Sequence, residues 1–256
     1  MGAALLRALA LLLLCGLSLQ LYFVGRIALM AVVDPHSTSF QRSEAWRLLV
    51  DKRQISWSQQ WVDGKAISSN LKRAVIASED AGFADHNGVE WDAVEKAWEK
   101  NQRAEAAASR RNDQLDKRRP AAASAGKPPP QVAPRMVGGS TISQQLAKNL
   151  FLSGERTVLR KGQEFVLTLA LEALLDKRRL LEIYLNHVEW GEGVFGAQAA
   201  ARHYFRVDAS RLDTLAAARL AVMLPAPKRF EKNPGSAYVA GRAATVAARM
   251  AAVTLP

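Results

Sequence analysis

Val158-Leu-Arg-Lys-Gly-Gln-Glu-Phe-Val-Leu-Thr-Leu-Ala-Leu-Glu-Ala-Leu-Leu-Asp-Lys-Arg-Arg-Leu-Leu-Glu-Ile-Tyr-Leu185 decides the fold class. Its apolar residues recur every three to four positions, the period of an amphipathic helix, with a break or bend expected near Asp176-Lys177. Helical signals continue outward in both directions. Ser140 or Thr141 can cap a helix running through Leu150. Ser210-Arg-Leu-Asp213 resembles a capping box before an Ala-rich helix that ends at Leu224-Pro225, and a last Ala-rich helix covers about residues 236–253. Residues 70–80 read as a short helix followed by a Gly/Asp/His/Asn loop over 81–88. Alternating β-branched residues are nearly absent, so a mostly α fold is expected.

At the amino end, residues 8–25 carry no charge and are rich in Leu, bracketed by Arg7 and Arg26. Eighteen such residues approach the roughly 20 that cross a bilayer as a helix. A second apolar run, residues 27–33, extends the span if Arg26 snorkels to the interface. No small-x-small cleavage pattern follows, so residues 1–33 are expected to be an uncleaved signal anchor, with the folded domain over residues 40–256.

The whole chain is 49% apolar and 23% charged, a globular composition, with a net charge of +11 that favours an anionic membrane, nucleic acid or a phosphate-bearing substrate. Residues 100–135 hold nine Lys/Arg against three acids, +6 of that total, with almost no large apolar side chains. The segment reads as a basic, Ala/Pro-rich insertion: a frayed charged helix running into a disordered or extended linker. The single cysteine, Cys15, excludes a disulfide framework or a cysteine metal site.

Three blocks carry candidate chemistry. Glu79-Asp80 ends an apolar helix, with Phe83, His86 and Gly88 following; a carboxylate at the mouth of such a loop suits a general base, although an acidic residue at a helix end more often caps or solvates. Gly138-Gly-Ser-Thr-Ile-Ser-Gln-Gln-Leu-Ala-Lys-Asn149 puts Thr141, Gln145 and Lys148 on one helical face. Its glycine pair permits an anion to approach the helix N-terminus. In Arg160-Lys161-Gly-Gln-Glu164, both cations lie beside the carboxylate on one face, as an ordinary ion pair or as a clamp for a diphosphate. An inverting glycosyl transfer onto a sugar hydroxyl needs one base; a lipid diphosphate leaves as an anion and needs cations and no proton.

In this order the blocks resemble the glycosyltransferase module of class A penicillin-binding proteins, and especially its single-domain form, the monofunctional biosynthetic peptidoglycan transglycosylases. The resemblance extends through Leu181-Glu-Ile-Tyr-Leu-Asn186, Gly191, Gly196, Leu224-Pro-Ala-Pro227 and Asn233-Pro234, covering about residues 60–240. It implies a lysozyme-like helical domain with a smaller flexible membrane-proximal lobe, preceded by one transmembrane helix. It implies lipid II and the growing glycan strand as substrates. Glu79 would be the base on the acceptor hydroxyl and Glu164 the second carboxylate on the donor side. Asp80, Phe83 and His86 would shape the base's surroundings. Ser140, Thr141, Gln144, Gln145, Lys148 and Asn149 would line the donor site, with Arg160 and Lys161 on the diphosphate. No cofactor is implied as a requirement; magnesium or manganese at the diphosphate is the candidate metal. The implied location is the bacterial inner membrane, single-pass, with the catalytic part in the periplasm, among membrane lipid and other cell-wall synthesis or division proteins.

The gap from Glu79 to Thr141 is longer than the family pattern, and residues 100–135 account for the excess. A lytic enzyme on the same fold is disfavoured by the cations at 160–161. A catalytically inactive membrane scaffold is the alternative from another class. No nucleic-acid motif is present, so no nucleic-acid partner is expected.

Overall fold

A computed structural model of the chain describes residues 2–117, 131–133, 139–155 and 157–256. Eleven α-helices dominate the described residues. The chain divides into two compact units, Met1–Gly88 with Thr141–Pro256, and Val89–Ser140.

The larger unit begins with α1 (Gly2–Leu29), the one described helix long and apolar enough to cross a membrane. Ile27 and Met30, in the second apolar run, are buried in the domain core. Helix α2 (Ser39–Lys52) starts at a capping box in which Thr38 and Gln41 exchange side-chain and backbone bonds. Helix α3 (Ser69–Glu79) buries Leu71, Ala74, Val75, Ile76 and Ala77. It packs against α9 (Thr214–Met223) and α11 (Ala237–Met250), whose small Ala residues permit close approach. Helix α5 (Ile142–Phe151) packs on α6 (Val158–Leu174) and α7 (Lys177–His187).

The 158–185 run is two helices. Leu175 turns extended, and the Asp176 side chain accepts the Arg179 N–H at 2.7 Å to start α7. The expected capping box at residues 210–213 is not formed. Residues Ala209–Arg211 make a 3-10 turn, and Asp213 itself caps α9 by accepting the Ala216 N–H. A short Asp side chain reaches the free N–H groups from the cap position, which leaves Ser210 outside the helix.

A three-stranded sheet, invisible to periodicity, sits beside α8 (Ala197–Phe205). β1 (Ser58–Gln59) pairs parallel with β3 (Val194–Phe195), which pairs antiparallel with β2 (Glu189–Gly191). Gly196 leaves the sheet at φ +82°, and a Cβ there would stand 2.6 Å from the Asn186 carbonyl oxygen. Asn186 in turn holds residue 62 from both sides, accepting the Val62 N–H at 2.9 Å and donating to its carbonyl at 3.0 Å. The short helix α10 (Pro227–Phe230) begins with proline at its first position.

The smaller unit contains α4 (Trp91–Lys117), so within the 100–135 insertion disorder does not begin at residue 100. Ala-rich sequence and the Glu99–Arg103 pair at 3.1 Å, one turn apart, favour the helix. Asn112 binds residue 132 through both its amide atoms, at 2.8 and 3.3 Å. The linker expectation for 118–130 and 134–138 lies outside the described residues.

Candidate active site

The carboxylate of Glu79 is the last helical group of α3, and burial pushes its pKa up from the ordinary glutamate value. Two donors oppose that shift: Gln145 Nε2 at 3.0 Å from Oε2, and Ser78 at the limit of hydrogen bonding. The neighbouring charge of Asp80 adds to it. Gln145 is itself oriented by Tyr184, whose hydroxyl donates to Gln145 Oε1 at 2.9 Å. Tyr184 is fully buried, and its pKa stands well above the ordinary tyrosine value, through desolvation and then the charges of Glu79 and Asp80. A phenol that stays protonated is a permanent donor, so the relay Tyr184 to Gln145 to Glu79 has a fixed direction.

Asp80, one residue on, holds the frame. Its Oδ1 lies 2.8 Å from His86 Nε2, and Oδ2 accepts the Ile142 N–H at 2.9 Å. The Thr141 hydroxyl donates to the Gly88 carbonyl at 2.6 Å. Gly88 has φ +89°, and a Cβ there would meet Thr168 Cγ2 at 2.8 Å. The 81–88 loop is thereby closed onto the start of α5. Phe83 is fully buried, with Lys177 Nζ 4.5 Å from its ring centroid.

Thr141, one of the two expected caps, therefore closes the N-terminus of α5, and the anion approach that the glycine pair permits is blocked at the Ile142 N–H. Asp80 occupies the Ile142 N–H, and Thr141 and Gln144 exchange both bonds of a capping box. A buried carboxylate already supplies the negative charge that a helix start attracts. Gln144 is turned into that cap and is buried. Ser140, in the other unit, is half-buried, and Gly138 lies outside the described residues.

One turn beyond Gln145, the same helix presents a cationic group. Lys148 is pulled below the ordinary lysine value, chiefly by desolvation; the charge of Glu164 opposes this and those of Arg160 and Lys161 add to it. On α6, Arg160 donates to Glu164 Oε2 at 2.9 Å and Lys161 to Oε1. Glu164 is buried, and the buried Nε of Arg160 has no hydrogen-bond partner. Asn149 follows Lys148, half-buried. Three cations around one carboxylate whose oxygens are both occupied suit an anion. They fit poorly the oxygen-rich ligand set of magnesium or manganese.

Several contributors escaped the sequence reading. Tyr184 stands in a block that looked purely structural. Glu172 accepts from Ser143 and, at 2.8 Å, from Lys177, whose ammonium also donates to the His86 carbonyl at 2.6 Å.

Residues 49–119 and 130–251 match the family described as Transglycosylase. The chain belongs to the transglycosylase family. Membership makes it a glycosyl-transferring enzyme with the lysozyme-like, mostly helical fold. A protein named biosynthetic peptidoglycan transglycosylase from Burkholderia thailandensis is 49% identical over 241 residues, 94% of this chain and 83% of that one. Proteins of the same name from Burkholderia lata and Paraburkholderia phytofirmans are 49% and 48% identical, over 86% and 88% of their lengths.

Proposed function

We propose that this transglycosylase polymerises lipid II into β-1,4-linked glycan, from a single-pass anchor in the inner membrane with its catalytic domain in the periplasm. The observation that carries the reading is that one helix, α5, reaches both a half-buried carboxylate and a cationic group a turn apart. Glu79 takes the proton from the acceptor's 4-hydroxyl. That oxygen attacks C1 of the donor sugar from the face opposite the diphosphate; the C1–O bond breaks, and its electron pair leaves with undecaprenyl diphosphate. Configuration at C1 inverts.

Lys148, Arg160 and Lys161 stabilise the charge that grows on the leaving oxygen. Glu164 holds the two α6 cations in place before the donor arrives. Asp80, His86 and Thr141 act as positioning residues, since their polar atoms are engaged within the loop and the start of α5, and the buried Phe83 ring packs beneath them. The relatives' names support peptidoglycan as the product class.

The test is incubation of the purified full chain, in detergent, with labelled lipid II beside Glu79→Gln. Polymer from the wild type alone is expected. Polymer from both would end the base assignment, and none from either, with folded protein, would favour the inactive scaffold.

A further inference from the structure

Helix α7 opens against the electrostatic preference of a helix start. Its first three residues are Lys177, Arg178 and Arg179, and no acid stands in its first turn. The partial positive charge at that end disfavours cations, so the contacts that hold a lysine at the first helical position lie outside its own helix. Such a breach of a local rule marks a place where function has the stronger claim. The Lys177 ammonium donates to Glu172 Oε1 at 2.8 Å and to the His86 carbonyl at 2.6 Å, and it lies 4.5 Å from the centroid of the Phe83 ring. Three partners match the three N–H groups of an ammonium, and two of them belong to the 81–88 loop.

Glu172 ties the arrangement to α5 and to the end of the loop. Its Oε1 also accepts from the buried Ser143 hydroxyl, and a Cβ on Gly88 would stand 3.0 Å from its Cγ. Within the loop, His86 Nδ1 accepts the Gly88 N–H at 3.0 Å. Its Nε2 therefore carries the ring proton and donates to Asp80 Oδ1 at 2.8 Å. The carbonyl held by Lys177 and the ring fastened to Asp80 belong to one residue. A displaced His86 moves Asp80, and with it the end of α3 where Glu79 stands.

We propose that Lys177 is a positioning residue for the transfer step: through His86 it fixes Asp80, and so keeps the Glu79 carboxylate against Gln145 and aimed at the acceptor hydroxyl. The inference rests on the reading of Glu79 as the base. Gln145, Ser78 and Asp80 are the groups whose hydrogen bonds and charge act on Glu79 directly, so Lys177 contributes through geometry. A reacting group displaced by about 1 Å can lose about a hundredfold in rate. Arginine is no substitute here. Its planar fork can meet the Glu172 carboxylate, but it cannot serve a carboxylate, a carbonyl and a ring face in three directions at once.

Steady-state polymerisation of labelled lipid II by the purified full chain in detergent tests it. Lys177→Met, Lys177→Arg and Glu79→Gln are compared with the wild type, each assayed well below its own melting temperature. A lysine that only stabilised the fold would leave kcat at the wild-type value under those conditions. Lys177→Met should instead lower kcat about tenfold or more, with KM for lipid II within about twofold of the wild type. Lys177→Arg should recover melting temperature through Glu172 and little of kcat. A wild-type kcat in either Lys177 variant would overturn the proposal. So would a KM raised beyond that range, whatever kcat does, since it would put Lys177 on the substrate. If Lys177→Met does not fold, Lys177→Arg decides by the same comparison. Glu79→Gln separates the two readings. Wild-type rates in that variant would overturn the base, whereas an inactive Glu79→Gln beside a fully active Lys177→Met would overturn the positioning alone.

Discussion

Asp80 Oδ2 accepts the backbone N–H of Ile142 at 2.9 Å, joining the end of α3 to the start of α5 across 62 residues of chain. The other oxygen of the same carboxylate faces His86 at 2.8 Å. Without this bridge, nothing in the local sequence would bring Glu79 within reach of Gln145. Asp80→Ala leaves the Ile142 N–H and the His86 ring without their buried acceptor. A loss of about 2–4 kcal/mol in unfolding free energy is expected, read by denaturant titration of the detergent-solubilised chain.

Glu79 should set an acid limb in the pH dependence of polymerisation. Its pKa is raised by burial, so the base becomes available only above the ordinary glutamate range, and the rate rises with pH through that value. Gln145→Ala removes a donor that favours the ionised form, so the limb should move to higher pH. A limb that stays put in rate–pH profiles would show that Gln145 does not govern the base.

Lys148 should set an alkaline limb in the same profile. Desolvation lowers its pKa, so its charge is lost at a lower pH than for an ordinary lysine, and activity falls as that charge goes. Lys148→Arg keeps the charge at all accessible pH values. The variant's profile should lose the alkaline limb even if its maximum rate is reduced.

Away from the site, Glu189 on β2 is buried, with a pKa pushed up to about 7 chiefly by desolvation and an Oε1 3.4 Å from Lys228 Nζ. Below the unfolded value both states are protonated. Between about pH 4.5 and 7 the unfolded chain ionises while the folded one resists, so stability falls as pH rises. The fall is at most about 3 kcal/mol, less what solvent screening removes. Glu189→Gln should flatten this slope in thermal melts taken from pH 5 to 8; an unchanged slope would exclude Glu189 as its source.

Gly196→Ala should cost more than a surface change. The new Cβ would stand 2.6 Å from the Asn186 carbonyl at a left-handed φ, so the backbone between α7 and α8 must shift. A lowered melting temperature with active site chemistry retained at low temperature is the expected result.

Helices and several of their starts were legible in the sequence, because amphipathic period and a cap such as Thr141 act over four residues. The pairing of Arg160 and Lys161 with Glu164 was legible for the same reason. The sheet was not, since strands of two or three residues carry no period. Nor was the closed N-terminus of α5, where the occupant is Asp80 from a distant helix.

The sequence alone determined the long apolar N-terminal helix, the helical class and the residue types proposed for base and cations, all local properties of side chains and spacing. Tertiary structure decided which of those residues meet one another and which are turned into caps. It turned Gln145 onto Glu79, fixed it with Tyr184, and drew Gln144 into a cap. It also rooted α1 in the core and paired Gln20 with Gln163. These outcomes depend on burial and on contacts between elements far apart in the chain, where desolvation makes each partner's position count.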